Sequence, residues 1–131
     1  MNNDEPRFAA FISKVIEDHR PWGMYRGFPL NEVSSVKIIT VAPKGILSLQ
    51  YHEKRDEFWV ILDDGIELTV GERTWRPAPN EEVWIPRKTI HRARGVGSKP
   101  ARFMELWIGD SSESDIVRVE DAYGRNAGGV G

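Results

Sequence analysis

Leu47-Ser48-Leu49-Gln50-Tyr51-His52-Glu53-Lys54-Arg55-Asp56-Glu57-Phe58-Trp59-Val60-Ile61-Leu62 decides how this chain is read. Two apolar stretches flank a charged bend, and ligand-type side chains sit at both edges of that bend. Gln50 and His52 are two residues apart, so on an extended strand they project from one face and reach a common point. Glu57 then opens the second stretch. A further histidine, His91, follows Trp84-Ile85-Pro86, as expected when a β-barrel gathers ligands from strands distant in sequence. Imidazole, carboxylate and amide oxygen together suit a borderline divalent ion, Zn, Mn, Fe, Co or Ni, rather than Ca. The chain has three histidines, and the plainer reading of each is a hydrogen-bonded core or surface residue.

Working outward, the segments on either side read as strands. Val36 to Ala42, Ile46 to His52, Glu57 to Leu62, Ile66 to Val70, Thr74 to Arg76, Glu82 to Ile85, Ile90 to Arg94 and Arg102 to Ile108 are separated by Gly, Pro, Asn and Asp clusters. Asp64-Gly65 carries a hairpin signal. Ahead of them, Phe8, Phe11, Ile12, Val15 and Ile16 fall at helical spacing, with Asn3 or Asp4 as cap and Pro6 in the first turn. The spacing predicts an amphipathic helix over about Glu5 to Asp18, closed by His19 and broken by Arg20-Pro21-Trp22-Gly23. One helix followed by about eight short strands indicates an all-β sandwich or barrel. The expected organisation is an N-terminal helix over 1–19, a β domain over 20–125 and a flexible tail over 126–131.

Composition narrows the function classes. At 131 residues the chain fits one domain, able to bury about two-thirds of its unfolded surface. Eighteen basic residues against 20 acidic ones argue against a nucleic-acid-binding domain with a strong positive field. Absence of cysteine excludes disulfides, thiolate metal sites and a cysteine nucleophile, and fits a reducing cytoplasm. No apolar run approaches the ~18 residues of a membrane span, and no leader pattern opens the chain, so a soluble protein is expected. Arginine outnumbers lysine, and Arg87, Lys88, Arg92 and Arg94 surround His91. Guanidinium forks suit phosphate or carboxylate ligands, although a solvated loop is the simpler reading.

Several blocks taken together resemble a known family. Arg20-Pro21-Trp22-Gly23, Val36-Lys37, Leu47 to His52, Arg55-Asp56-Glu57-Phe58-Trp59, Trp84-Ile85-Pro86 with His91, Asp115-Ile116-Val117-Arg118 and Glu120 to Arg125 are similar to the type II mannose-6-phosphate isomerase cupin. That domain also forms the C-terminal part of bifunctional mannose-1-phosphate guanylyltransferases. The resemblance runs from about Arg20 to Arg125. It implies a double-stranded β-helix (jelly roll), a divalent metal held by Gln50, His52, Glu57 and His91, and interconversion of mannose 6-phosphate and fructose 6-phosphate. Gln50 stands where the general cupin pattern has His, as is usual in this subfamily. A homodimer is expected, with no nucleic-acid or membrane partner.

Aldose–ketose isomerisation removes a carbon-bound proton beside a carbonyl, which calls for a Lewis acid at O1 and O2 and a carboxylate that carries the proton between C1 and C2. Glu105 is the candidate carboxylate: it matches the acidic residue of the family's late strand and alternates with Phe103 and Trp107 on one face. If that face lines the barrel, burial raises its pKa; the other reading is a polar residue on the outer face. Arg55 matches the arginine of the Gln-x-His-x-x-Arg block and is expected to clamp a substrate oxygen or a ligand carboxylate, the alternative being a surface ion pair with Asp56 or Glu53. Lys37, Lys88, Arg118 and Arg125 are the candidate phosphate contacts.

Three departures from the family pattern stand out. Lys88 replaces a usual Gly, Trp107 replaces a usual Gln, and the glycine of Asp63-Asp64-Gly65 is shifted by one. An indole at 107 takes space that a hexose phosphate needs. The Gly-rich loop of a nucleotidyltransferase is missing, so guanylyltransferase activity is not expected. Two other functions compete with isomerisation: a non-catalytic metal cupin that binds a sugar or nucleotide-sugar, and a metal-dependent oxygenase, which Gln50 as a fourth ligand disfavours.

Overall fold

The computed structural model describes residues 5–29, 35–110 and 112–121. The chain divides into two units, Met1–Val33 and Ser34–Gly131.

In the first unit, α1 spans Glu5–Ile12 and is followed by a hairpin of β1 (Ile16–Arg20) and β2 (Gly23–Gly27). The helix is shorter than its apolar spacing predicts. Ser13 caps its end, its hydroxyl donating to the Ala10 carbonyl at 2.8 Å, while the Lys14 and Val15 amides turn back to Phe11 and Ile12. The β-branched pair Val15 and Ile16 then favours extended backbone. Across the hairpin Glu17 accepts from Arg26 at 3.0 Å, a pairing hidden until the register is known. His19 therefore lies on a strand, opposite Met24, and not at a helix terminus. The expected cap residues Asn3 and Asp4, and the tail over 126–131, lie outside the described residues.

In the second unit every strand pair is antiparallel. One sheet has the order β3 (Ser35–Val41), β10 (Ala101–Gly109), β5 (Arg55–Ile61), β8 (Glu82–Ile85). The other has the order β11 (Val117–Glu120), β4 (Leu49–Tyr51), β9 (His91–Gly95), β6 (Ile66–Val70), β7 (Arg73–Trp75). From β3 onward the chain changes sheet at each connection except β6 to β7, which is the double-stranded β-helix arrangement expected from the sequence. The predicted strands stand within a few residues of those observed. Two corrections apply. Asp64-Gly65 is no hairpin: Gly65, at φ +100°, carries the chain from β5 in one sheet to β6 in the other. The two-residue hairpin is Gly71-Glu72, where φ of +60° at Gly71 supplies the turn that joins Val70 to Arg73.

Between the sheets lies one apolar core. Trp59, Ile61, Ile85 and Phe103 come from the first sheet and Ile66, Leu68 and Ala93 from the second. Trp59 stacks on Phe103 with ring centroids 4.2 Å apart. Truncating a buried aromatic of this kind to Ala costs about 3–5 kcal/mol. The core fills one end of the space between the sheets, and polar side chains take over at the other.

Candidate metal centre

β5 carries the site because it is buried along almost its whole length and its side chains alternate. Arg55 and Glu57 face the polar end of the barrel, and Trp59 continues that face into the core. On the neighbouring strand β10, Glu105 lies opposite Trp59, and Trp107 lies opposite Glu57. The facing sheet brings Gln50 on β4 beside His91 on β9 in direct register. His52 follows β4 at the start of the charged bend. The structure thus gathers Gln50, His52, Glu57 and His91, together with Arg55, Glu105, Trp107 and Lys37, around one cavity of about 200 Å³.

Within it, His52, Glu57 and His91 are all buried, and one ligand atom from each lies within 4.8 Å of the others. The two rings are oriented from behind: His52 Nδ1 is 2.6 Å from the Asp115 carbonyl and His91 Nδ1 is 3.0 Å from that of Thr89. A carbonyl can only accept, so each Nδ1 carries the hydrogen and each Nε2 turns a lone pair inward. In that tautomer His52 Nε2 lies 3.1 Å from Glu57 Oε2, and the Arg55 guanidinium bridges the two, its Nε 2.9 Å from Oε2 and a terminal nitrogen 3.3 Å from Nε2. Two oriented imidazoles and a carboxylate in one cluster, with Gln50 lining the same cavity, fit a divalent ion, and the set could hold one.

Charge in the site is held tightly. The Arg55 Nε donates to Glu57 Oε2 at 2.9 Å and one terminal nitrogen donates to the Ser112 carbonyl, while the guanidinium lies 3.6 Å from the Trp107 ring centroid. The Trp59 indole N–H donates to Glu57 Oε1 at 2.8 Å. Burial by itself would push the Glu57 carboxyl up, but with the histidine rings in their charged form the His52 hydrogen bond and the charges of His91, His52 and Arg55 outweigh it and hold the pKa down to about 2. Burial lowers the pKa of His91, favouring the neutral ring that a metal ligand requires. Glu105 behaves oppositely. Burial, followed by the nearby Glu57 charge, pushes its carboxyl up to about 8, even though the Trp107 indole donates to it at 2.9 Å.

The candidate phosphate contacts separate. Lys37, opposite Glu105 on β3, lines the cavity, donates to Glu113 at 2.7 Å and lies over the Trp107 ring. Lys88 is exposed and does not line the cavity; only its backbone serves, the amide donating to the His52 carbonyl at 2.6 Å. Its φ of +67° accounts for the glycine usual at that position. Arg118 is buried opposite Gln50 on β11 and is not among the cavity-lining residues. Arg125 and Tyr123 fall outside the described residues. The arginines near His91 have protein partners instead: Arg87 binds Asp56, Arg92 binds Glu120, and Arg94 binds Glu67.

Sequence reading missed three supports. Trp59 could have been found from its two-residue spacing to Glu57. Asp115 and Thr89 act on the histidines through backbone carbonyls, for which no side-chain signal exists. Asp115 also anchors the bend, its carboxylate accepting from the Glu53 and Lys54 amides.

Comparison with known proteins shows the family and agrees with the fold. The family described as Mannose-6-phosphate isomerase C-terminal matches residues 10–121. The xanthan biosynthesis protein XanB of Xanthomonas campestris is 39% identical over 108 residues, covering 82% of this chain and 23% of its own length. The mannose-1-phosphate guanylyltransferase RfbM of Salmonella typhimurium is 35% identical over 109 residues, again covering 82% of this chain and 23% of its own length. This chain therefore corresponds to under a quarter of these relatives. Among solved structures, a double-stranded β-helix protein from Klebsiella pneumoniae superposes with a TM-score of 0.59 at 16% identity, over 67% of this chain and 76% of that one, and shares the fold.

Proposed function

The chain belongs to the Mannose-6-phosphate isomerase C-terminal family, and on that premise we propose that it is a metal-dependent phosphosugar isomerase interconverting mannose 6-phosphate and fructose 6-phosphate. One observation carries the reading. A buried carboxyl with a pKa near 8, Glu105, shares a cavity with a buried His–Glu–His donor set. Proton transfer between C1 and C2 uses a base and an electrophile, and these two features would supply them.

A divalent ion held by His52, His91, Glu57 and Gln50 would act as the Lewis acid for negative charge developing on the sugar's O1 and O2. Everything else is done by side chains. Glu105 in its ionised form takes the proton from one of the two carbons and returns it to the other. Its high pKa makes it a strong base for a carbon acid, and the Trp107 N–H fixes its orientation. Arg55, stacked on Trp107 and tied to Glu57, holds the ligand carboxylate in place. Lys37 faces the cavity and would take the phosphate, exchanging the Glu113 carboxylate for a dianion. We also expect a homodimer, because β3 is an edge strand exposing Val36 (60%) and Ile38 (57%).

A second reading, a metal cupin that binds a sugar ligand without converting it, is favoured by space. The cavity of about 200 Å³ lies below the ~300 Å³ at which small-molecule sites usually begin, and Trp107 forms part of its wall. One assay separates the two. Protein loaded with Co, Zn, Mn, Ni or Fe is given mannose 6-phosphate, and fructose 6-phosphate is read through a coupled dehydrogenase. Metal-dependent turnover is expected; saturable binding without product under every ion would favour the second reading.

A further inference from the structure

Asp56 is fully buried, pairs with Arg87, and takes no part in the chemistry above. It sits between Arg55 and Glu57, so its side chain points to the other face of β5, away from the cavity those two line. Its carboxylate grips Arg87: Oδ1 accepts from the backbone amide at 2.9 Å and from Nε at 3.5 Å, and Oδ2 accepts from a terminal guanidinium nitrogen at 3.1 Å. Arg87 lies in the Pro86-Arg87-Lys88-Thr89 turn, which closes with the Thr89 amide on the Pro86 carbonyl and is left-handed at Lys88.

This turn holds both histidines. The Lys88 amide donates to the His52 carbonyl at 2.6 Å, and the Thr89 carbonyl accepts from His91 Nδ1 at 3.0 Å. Two metal donors, one in the bend after β4 and one on β9, thus hang on four consecutive residues, and Asp56 ties those residues to the strand that supplies a third donor, Glu57. We propose that Asp56, acting through Arg87, is a positioning residue that sets the distance between the histidine pair and Glu57 and thereby the affinity of the centre for a divalent cation. The inference rests on the metal-centre reading and not on isomerisation. A protein that binds the cation without turning over sugar leaves it standing.

The experiment titrates metal-free protein with Co²⁺ alone, following affinity and the ligand-field absorption of the bound ion. Parent, Asp56→Ala, Arg87→Ala and the double variant are compared. Asp56→Ala is expected to weaken Co²⁺ binding by about tenfold or more, within the range for groups that orient metal ligands, and to alter the absorption band. Arg87→Ala should weaken it by roughly threefold, because the residue 87 amide still binds Asp56; the double variant should lose no more than Asp56→Ala, since both act through one link. In metal-free protein the imidazole nitrogen signals of His52 and His91, two of only three histidines, should shift in Asp56→Ala. A folded Asp56→Ala with parental Co²⁺ affinity and spectrum, whatever its melting temperature, overturns the proposal. Should that variant not fold, unchanged affinity in Arg87→Ala overturns it equally. A parent that binds no Co²⁺ overturns the proposal and the metal centre together.

Discussion

The cavity and the outer face of the five-stranded sheet are built from the same charged residue types and use them in opposite ways. Outside, Glu67 accepts from Arg94 at 2.8 Å and from Arg76 at 3.5 Å, and where β5 ends and β10 begins Asp63 accepts from Arg102 at 2.8 Å. Those acids are shifted down by their arginine partners but stand in solvent, where screening leaves an ion pair little net effect. Inside, Glu57 and Glu105 are both buried and line one cavity. One is driven to ionise and the other to keep its proton. Contacts alike in kind give solvated ion pairs on one side and two carboxyls of opposite protonation preference on the other, so burial and not charge count distinguishes them.

The comparison can be broken most severely at the donor set. His52→Ala removes one of three buried ligands and is expected to weaken divalent-metal binding by more than about 100-fold, beyond the range for outer contacts, as read by calorimetry and metal analysis. Affinity within a few-fold of parent would mean that the cluster is not the binding site.

Glu105→Gln comes next. It should lower kcat by about 10²- to 10⁴-fold while leaving metal affinity near parental. It should also change stability in the other direction. A carboxyl whose folded pKa lies above its unfolded value keeps its proton on folding, so its favourable contribution is complete below pH 4.5 and is lost as pH rises toward about 8. The variant lacks that loss, and its urea midpoint should overtake the parent's progressively across this window.

Smaller effects follow at Glu57 and His91 in metal-free protein. Glu57 has a depressed pKa, so its contribution is present above pH 4.5 and is lost as pH falls toward about 2; Glu57→Gln should flatten that acid limb. His91 is lowered by burial, so its neutral form favours the fold above pH 6.5 and stability declines as pH drops below that. The smallest effect belongs to the surface: Asp63→Asn should leave melting temperature, metal affinity and turnover at parental values, and a clear loss in any of them would erase the contrast drawn here.

How much of this was legible in sequence follows the same division. Gln50 and His52 could be paired because two-residue spacing on a strand fixes a shared face, and the family resemblance added Glu57 and His91; the Phe103, Glu105, Trp107 alternation put Glu105 on one face with two aromatics but did not say which way that face turns. Strand periods failed where burial runs against hydropathy. In β11 the exposed residues are Val117 and Val119 and the buried one is Arg118, so apolar alternation pointed the wrong way. The β1–β2 hairpin was hidden because Val15 and Ile16 extend the helical spacing of Phe8, Phe11 and Ile12, and only the Ser13 cap and the β-branched pair mark the change. Lys88 and the arginines around His91 looked like one basic cluster in sequence; the turn faces Lys88 outward and the arginines pair with Asp56, Glu120 and Glu67. Charge clusters in sequence do not encode which way a loop turns.

The central claim is that four side chains from β4, β5, β9 and the bend between β4 and β5 close on one ion. Anomalous diffraction at the metal's absorption edge, from crystals grown with Zn²⁺ or Co²⁺, tests it most directly. A single strong peak is expected about 2.0–2.2 Å from His52 Nε2, His91 Nε2, a Glu57 oxygen and the Gln50 amide oxygen. A peak elsewhere, or none at full metal loading, would contradict it.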